Sequence, residues 1–223
     1  MSARPRTLKL RRPEARQAAG RSGLYAFFAR ALAVPDEDFF QDAVKGELAR
    51  AVAAMAGELP FALALPAPAL AAPAAFAEFQ SEYLSWFEVG MKGPPCPLYE
   101  GAVRQDLGRK AILEELLRFY EHFGLQMSEA VRELPDRLGA ELEFMHYLAF
   151  LEAQGCERGA SPADLIRAER DFLARHLAVW VPELAAKAQA KNAPPFYRDL
   201  LQGLAALVRA DLDHLKRRSE EVG

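Results

Sequence analysis

Few residues in this chain have the types and spacing to do chemistry. Glu143-Phe-Met-His146 sets a carboxylate and an imidazole about one helical turn apart, the spacing used by bundles that hold a carboxylate-bridged metal pair. Such a centre needs a second copy, and the nearest is Asp211-Leu-Asp-His214, in a polar C-terminal stretch that reads as surface. The competing reading is that Glu143 and His146 satisfy each other by hydrogen bonding inside the fold. Cys96 lies between Pro95 and Pro97 with no neighbouring base, which suits loop packing better than a nucleophile. At Leu134-Pro135-Asp136-Arg137, Pro135 suits a first helical position and Asp136 faces the positive end of the helix dipole. Arg137 stands four residues before Glu141, a spacing that permits an ion pair. The sequence contains no phosphate-binding glycine loop, nucleophile elbow or His-Glu-x-x-His zinc motif.

The elements that must position these groups read as helix after helix. From Leu138 to Leu151 apolar residues cover most of the circumference, the mark of a buried helix, which runs from Pro135 to about Gln154. Upstream, a first helix ends at residues 24–32, before Pro35. Residues 36–57 carry Phe39, Phe40, Val44, Leu48, Val52 and Met55 at helical spacing, and residues 74–89 bring Phe76, Phe79, Tyr83, Trp86 and Phe87 onto one face. Residues 90–101 are too rich in glycine and proline to be anything but a loop. A helix over 105–123 stops at Gly124. Ser161-Pro162 opens another that ends before Pro182, and the last follows Pro194-Pro195. The uncharged stretch 59–77 approaches a membrane-spanning length, but its four prolines break helices, so it reads as a loop over the core. No segment alternates for long enough to be a strand. The fold class is all-α, a single-domain helical bundle over residues 23–223 preceded by a basic, flexible arm over residues 1–22.

Charge is distributed unevenly. Residues 1–22 carry seven basic side chains and one acidic, so the remaining 201 residues hold 21 basic and 30 acidic. A body this acidic is a poor nucleic-acid binder and a suitable host for a basic peptide. Cys96 and Cys156 lie 60 residues apart with no metal-type spacing, which fits a reducing, cytoplasmic setting. Arg11-Arg12 lacks the apolar run an export signal requires, and no segment predicts stable membrane insertion. The Tyr83, Trp86, Phe87 cluster is core by default, although such aromatics also anchor peptide grooves.

The order of features resembles the TorD/DmsD/NarJ family of redox-enzyme maturation chaperones. An aromatic helix EYLSWFEVG leads to a proline-rich loop ending PLYEG, then to ILEELLRFYEHFGL, then to ELPDRLGAELEFMHYL, within a likeness that covers roughly residues 22–215. It is similar above all to the branch that serves type II enzymes of the dimethyl sulfoxide reductase family. The resemblance implies a TorD-like bundle without catalysis or cofactor, acting in the cytoplasm. Its partner would be the catalytic subunit of a molybdenum enzyme, often held by its twin-arginine signal and kept from export until the molybdenum cofactor is inserted. It implies a partner-binding surface formed by Tyr83, Trp86, Phe87, Pro97, Leu98, Tyr99, Asp136, Arg137, Glu143 and His146. Within it, Leu98 and Tyr99 project from the loop, and Asp136 and Arg137 reach solvent. On a helical wheel Asp136, Gly139, Glu143, His146 and Phe150 form one stripe, matching a guest that is apolar with a basic end. The family commonly has His after Pro-Asp, and here Arg137 stands there, a side chain that cannot titrate near neutrality. The alternative function is a carboxylate-bridged metal enzyme using Glu143 and His146.

Overall fold

The computed structural model describes residues 10–63, 75–91, 93–104, 106–126 and 134–221. Most of the Ala/Pro stretch read as a loop, and residues 1–9 of the basic arm, lie outside these. Among the described residues there are ten α-helices: α1 (Pro13–Ala31), α2 (Glu37–Val44), α3 (Glu47–Ala56), α4 (Phe76–Tyr83), α5 (Glu100–Val103), α6 (Arg109–His122), α7 (Leu138–Arg158), α8 (Ala163–Arg175), α9 (Leu177–Ala190) and α10 (Pro195–Glu221). A π-helical turn, Leu84–Glu88, continues α4. No helix among them is long and apolar enough to cross a membrane.

α7 is the central element, as its all-round apolarity predicted. It packs antiparallel to α1: the amides of Arg11 and Arg12 donate to Glu157 at one end, and Ser22 meets His146 further along. Phe144 projects into an aromatic cluster with Phe119, Tyr120, Phe123 and Phe172, at ring separations from 4.7 to 6.3 Å. A second cluster joins Phe79, Phe196, Tyr197, Tyr83 and Phe87, bringing α4 and the π turn against α10. Edge-to-face geometry in both adds specificity to apolar burial.

Several boundaries differ from expectation. Residues 36–57 form two helices, because Gly46 takes a left-handed conformation (φ 68°) between them. Pro135 precedes α7 rather than opening it, and Arg137 is the residue before the first helical turn. The helix after Ser161-Pro162 breaks at His176 (φ −121°, ψ −96°), and Pro182 lies inside α9 instead of ending a helix. The most consequential correction concerns the arm. Residues 13–22 are the first half of α1, and Arg21 is fully buried.

Arg21 explains why basic residues lead into the core. Its Nε donates to Asp211 (2.6 Å) and its Nη1 to Glu152 (2.6 Å), while Nη2 donates to Glu169. All three carboxylates are buried, Tyr25 donates to Asp211 (2.8 Å), and Arg218 reaches Glu152 from the rim. The guanidinium, with five donors in a fixed fork, thereby ties α1 to α7, α8 and α10. Two cations face three carboxylates, so one proton neutralises the set. Glu169 is its natural holder: burial, opposed by Arg21 and reinforced by Glu152 and Asp211, raises its pKa to about 8, and its Oε1 has no partner among the described residues. Asp211 and His214, read as surface and as a possible second metal motif, serve here instead, Asp211 in the cage and His214 against Phe61.

Two outcomes follow. Arg21→Ala leaves buried carboxylates unpaired and is expected to cost about 3–5 kcal/mol in chemical denaturation, against the near-zero effect of removing a flexible-arm arginine. A carboxyl whose folded pKa is raised contributes its stability fully below its unfolded value and loses it as pH rises through the folded value. The melting temperature should therefore fall between the ordinary carboxylate range and about pH 8. Glu169→Gln, measured by a pH series of thermal melts, should flatten that fall.

Candidate functional site

The residues singled out at 83–99 and 134–137 converge where the proline-rich loop crosses the start of α7. Tyr99 and Arg137 form an antiparallel bridge: the Glu100 amide donates to the Asp136 carbonyl (2.9 Å), and the Leu138 amide to the Leu98 carbonyl (2.9 Å). A loop with three prolines has few amides of its own, so this bridge and the bond from the Cys96 amide to the Trp86 carbonyl (3.0 Å) fix its path. Gly101 must approach closely. A Cβ there would stand 3.0 Å from the Asp136 carboxylate, whose Oδ2 accepts from the Gly101 amide (3.3 Å).

Asp136 is fully buried, which overturns its expected exposure. Its carboxylate accepts from Arg109 Nε (3.2 Å) and Nη2 (3.3 Å), and the Arg109 guanidinium lies 5.8 Å from the Tyr99 ring centre. Arg137 is only slightly exposed and reaches Glu88 (3.1 Å) and the Tyr83 hydroxyl (3.4 Å), not the Glu141 four residues on. Glu141 is turned inward to accept from Trp180 Nε1 (3.1 Å). Burial, followed by the charge of Glu100, pushes its carboxyl well above the usual range. Leu98 is core rather than projecting, as are Tyr83 and Phe87, while Pro97, Tyr99 and Trp86 are partly exposed. The Tyr83 hydroxyl donates to the Leu32 carbonyl (3.0 Å), and burial raises its pKa. Cys96 is buried too, with its thiol pushed up by burial, a poor setting for a nucleophile.

Glu143 and His146 belong elsewhere. Glu143 faces solvent, while His146 Nδ1 lies 2.8 Å from Ser22 Oγ on α1, so the two do not satisfy each other. Among the described residues no group of His, Cys, Asp and Glu is arranged to hold a metal ion, and the metal-enzyme alternative is without support.

What solvent meets at this end is different from the residues expected. Leu84, Val89 and Met91 are exposed, and a shallow groove of about 410 Å³ runs along Ala77, Gln80, Ser81, Leu84, Ser85 and Val89. Glu78, Glu82 and Glu88 share the helix and turn that carry it. Burial, with the neighbouring charge of Glu78, raises the Glu82 pKa. The π turn produces this arrangement by inserting one residue into the helix. Its signal in the sequence was the run Glu82 to Val89, whose exposed positions a uniform helical wheel misplaces.

The model of the family described as nitrate reductase delta subunit matches residues 42–186. The chain is 36% identical over 200 residues to the perchlorate reductase assembly chaperone protein of Dechloromonas aromatica, covering 87% of this chain and 89% of that one. The chain belongs to this family of assembly chaperones. It is also 42% identical over 144 residues to the selenate reductase assembly chaperone protein of Thauera selenatis (65% and 74% covered). To the dimethyl sulfide dehydrogenase assembly chaperone protein of Rhodovulum sulfidophilum it is 34% identical over 195 residues (84% and 76% covered). The resemblance read from PLYEG and the Leu-Pro-Asp segment is thus confirmed, and a family of assembly chaperones is not a family of enzymes.

Burial at the bridge changes what mutation should do. Leu98→Ala removes a core side chain and is expected to cost about 2–5 kcal/mol. Asp136→Ala strands the Gly101 amide and should cost about 1–3 kcal/mol. Urea denaturation of both variants checks this, and near-neutral values would mean that both side chains are surface groups.

Proposed function

We propose that this chain is a cytoplasmic chaperone for the catalytic subunit of a molybdenum-cofactor oxidoreductase. It engages the subunit, including a twin-arginine signal, through the end of the bundle built on α4, the π turn and the bridge at Tyr99–Arg137. The observation that carries the reading is the exposure of the apolar side chains Leu84, Val89 and Met91 beside a helix and turn that also carry Glu78, Glu82 and Glu88, the last paired with Arg137. A guest with an Arg-Arg pair followed by an apolar run complements both parts. The names of the relatives, chaperones of selenate and perchlorate reductases and of a dimethyl sulfide dehydrogenase, support a client of that class. Asp136, Leu98, Tyr83 and Phe87 contribute by fixing the surface from beneath. Tyr99, Trp86, Pro97 and Arg137 border it. Glu143 and His146, further along α7, form no part of this edge.

The tagged protein is expected to capture a molybdenum-enzyme catalytic subunit from cells, and deletion of its gene to leave that enzyme without cofactor. Val89→Ser with Met91→Ser should lower affinity for an Arg-Arg peptide by about tenfold or more, as expected for lost apolar burial, with an unchanged melting temperature. Affinity should also fall with salt, since exposed charges are screened over about 8 Å at physiological ionic strength. Wild-type affinity in the double variant would exclude this edge as the contact.

A further inference from the structure

Beneath the bridge lies a buried polar set that the surface reading does not use. The Glu100 side chain has no exposure, although it sits on the one-turn helix α5 at the end of the loop. It accepts from His176 Nδ1 at 2.9 and 3.2 Å and from Arg104 Nη1 at 2.7 Å. His176 is the residue at which α8 breaks from α9, and Arg104 Nη1 also donates to the carbonyl of Arg175, the last residue of α8 (2.8 Å). Glu100 is therefore gripped from two sides by a single backbone break. Because a carboxylate only accepts, His176 Nδ1 carries the proton. Its Nε2 is buried beside the Phe119 and Phe172 rings with no partner among the described residues. The α9 side is anchored in turn, through Trp180 to Glu141 on α7. Packing alone would fill this space with apolar side chains at no loss of stability, whereas a directional polar contact fixes one arrangement.

We propose that Glu100, His176 and Arg104 form a positioning latch that sets the client-facing end of the loop. Through the Glu100 backbone, the α8–α9 break determines where Tyr99, Arg137 and Glu88 stand. The three residues touch no client. They act by holding the bridge closed, and the effect on client binding rests on the function proposed above.

Two measurements test this on the full chain. Hydrogen exchange of the free protein needs no client: in His176→Gln, whose amide sits at the Nε2 end, the Glu100 and Leu138 amides should exchange faster while α1 and α10 keep their protection. In His176→Asn, which keeps a donor at the Nδ1 position, protection should return. Affinity for a synthetic peptide with Arg-Arg before an apolar run should fall about tenfold in His176→Gln, the scale of a lost hydrogen bond to a charged group, and recover in His176→Asn. Should His176→Gln fail to fold, Arg104→Met removes the second grip and should show the same local loosening. Wild-type exchange at Glu100 and Leu138, or loosening spread evenly over all helices, would overturn the latch. Local loosening with unchanged affinity would overturn its role in positioning the client surface. If the wild-type protein ignores the peptide, the client surface is refuted, and exchange still decides whether the latch exists.

Discussion

A single guanidinium holds four helices together. The cage around Arg21 collects its carboxylates from partners 131, 148 and 190 residues away in the chain, so it can form only when α1, α7, α8 and α10 are assembled in one arrangement. Apolar packing between helices tolerates sliding and rotation, whereas a fork of donors aimed at three carboxylates does not. Removing charge from water is expensive, and the cage offsets that only when every member is present. The helices around it take their relative positions from this fixed centre.

The end built on the Tyr99–Arg137 bridge follows the same logic at smaller scale. Asp136, Glu100 and Glu141 are buried within a few residues of the bridge, each answered by a donor from another element: Arg109, His176 and Trp180. Above them the surface is simple, a few exposed apolar side chains and an acidic edge. The division is between buried polar groups that set position and exposed groups that face solvent.

The sequence displayed the aromatic core well. Phe79, Tyr83 and Phe87 recur at helical spacing and all are buried, and the all-round apolarity of α7 announced its central place. Charged residues were harder to read. Arg21 looked like part of a solvated arm and Asp211 like surface, because local composition counts charge without showing that each would find the other. Asp136 was misjudged for a related reason: a helix start usually faces water, but here the loop at 98–101 lies over it. The break at His176 left no local mark, since neither glycine nor proline is there, and Pro182 drew the boundary to the wrong place. The stretches picked out by the family resemblance, 83–99 and 134–137, do come together in the fold, but most of the residues named there are buried or partly buried.

The π turn at Leu84–Glu88 has an implication for how relatives of this chain can diverge. Ordinary helices tolerate substitution at exposed positions, but the loss of one residue advances everything beyond it by about 100°. Removing a residue from this turn would close it into regular helix and swing Glu88 away from Arg137 and the Tyr83 hydroxyl. The length of this segment is therefore under tighter constraint than its composition. Side chains at 84, 89 and 91 can change without disturbing this geometry, whereas an insertion or deletion within the turn would disturb it.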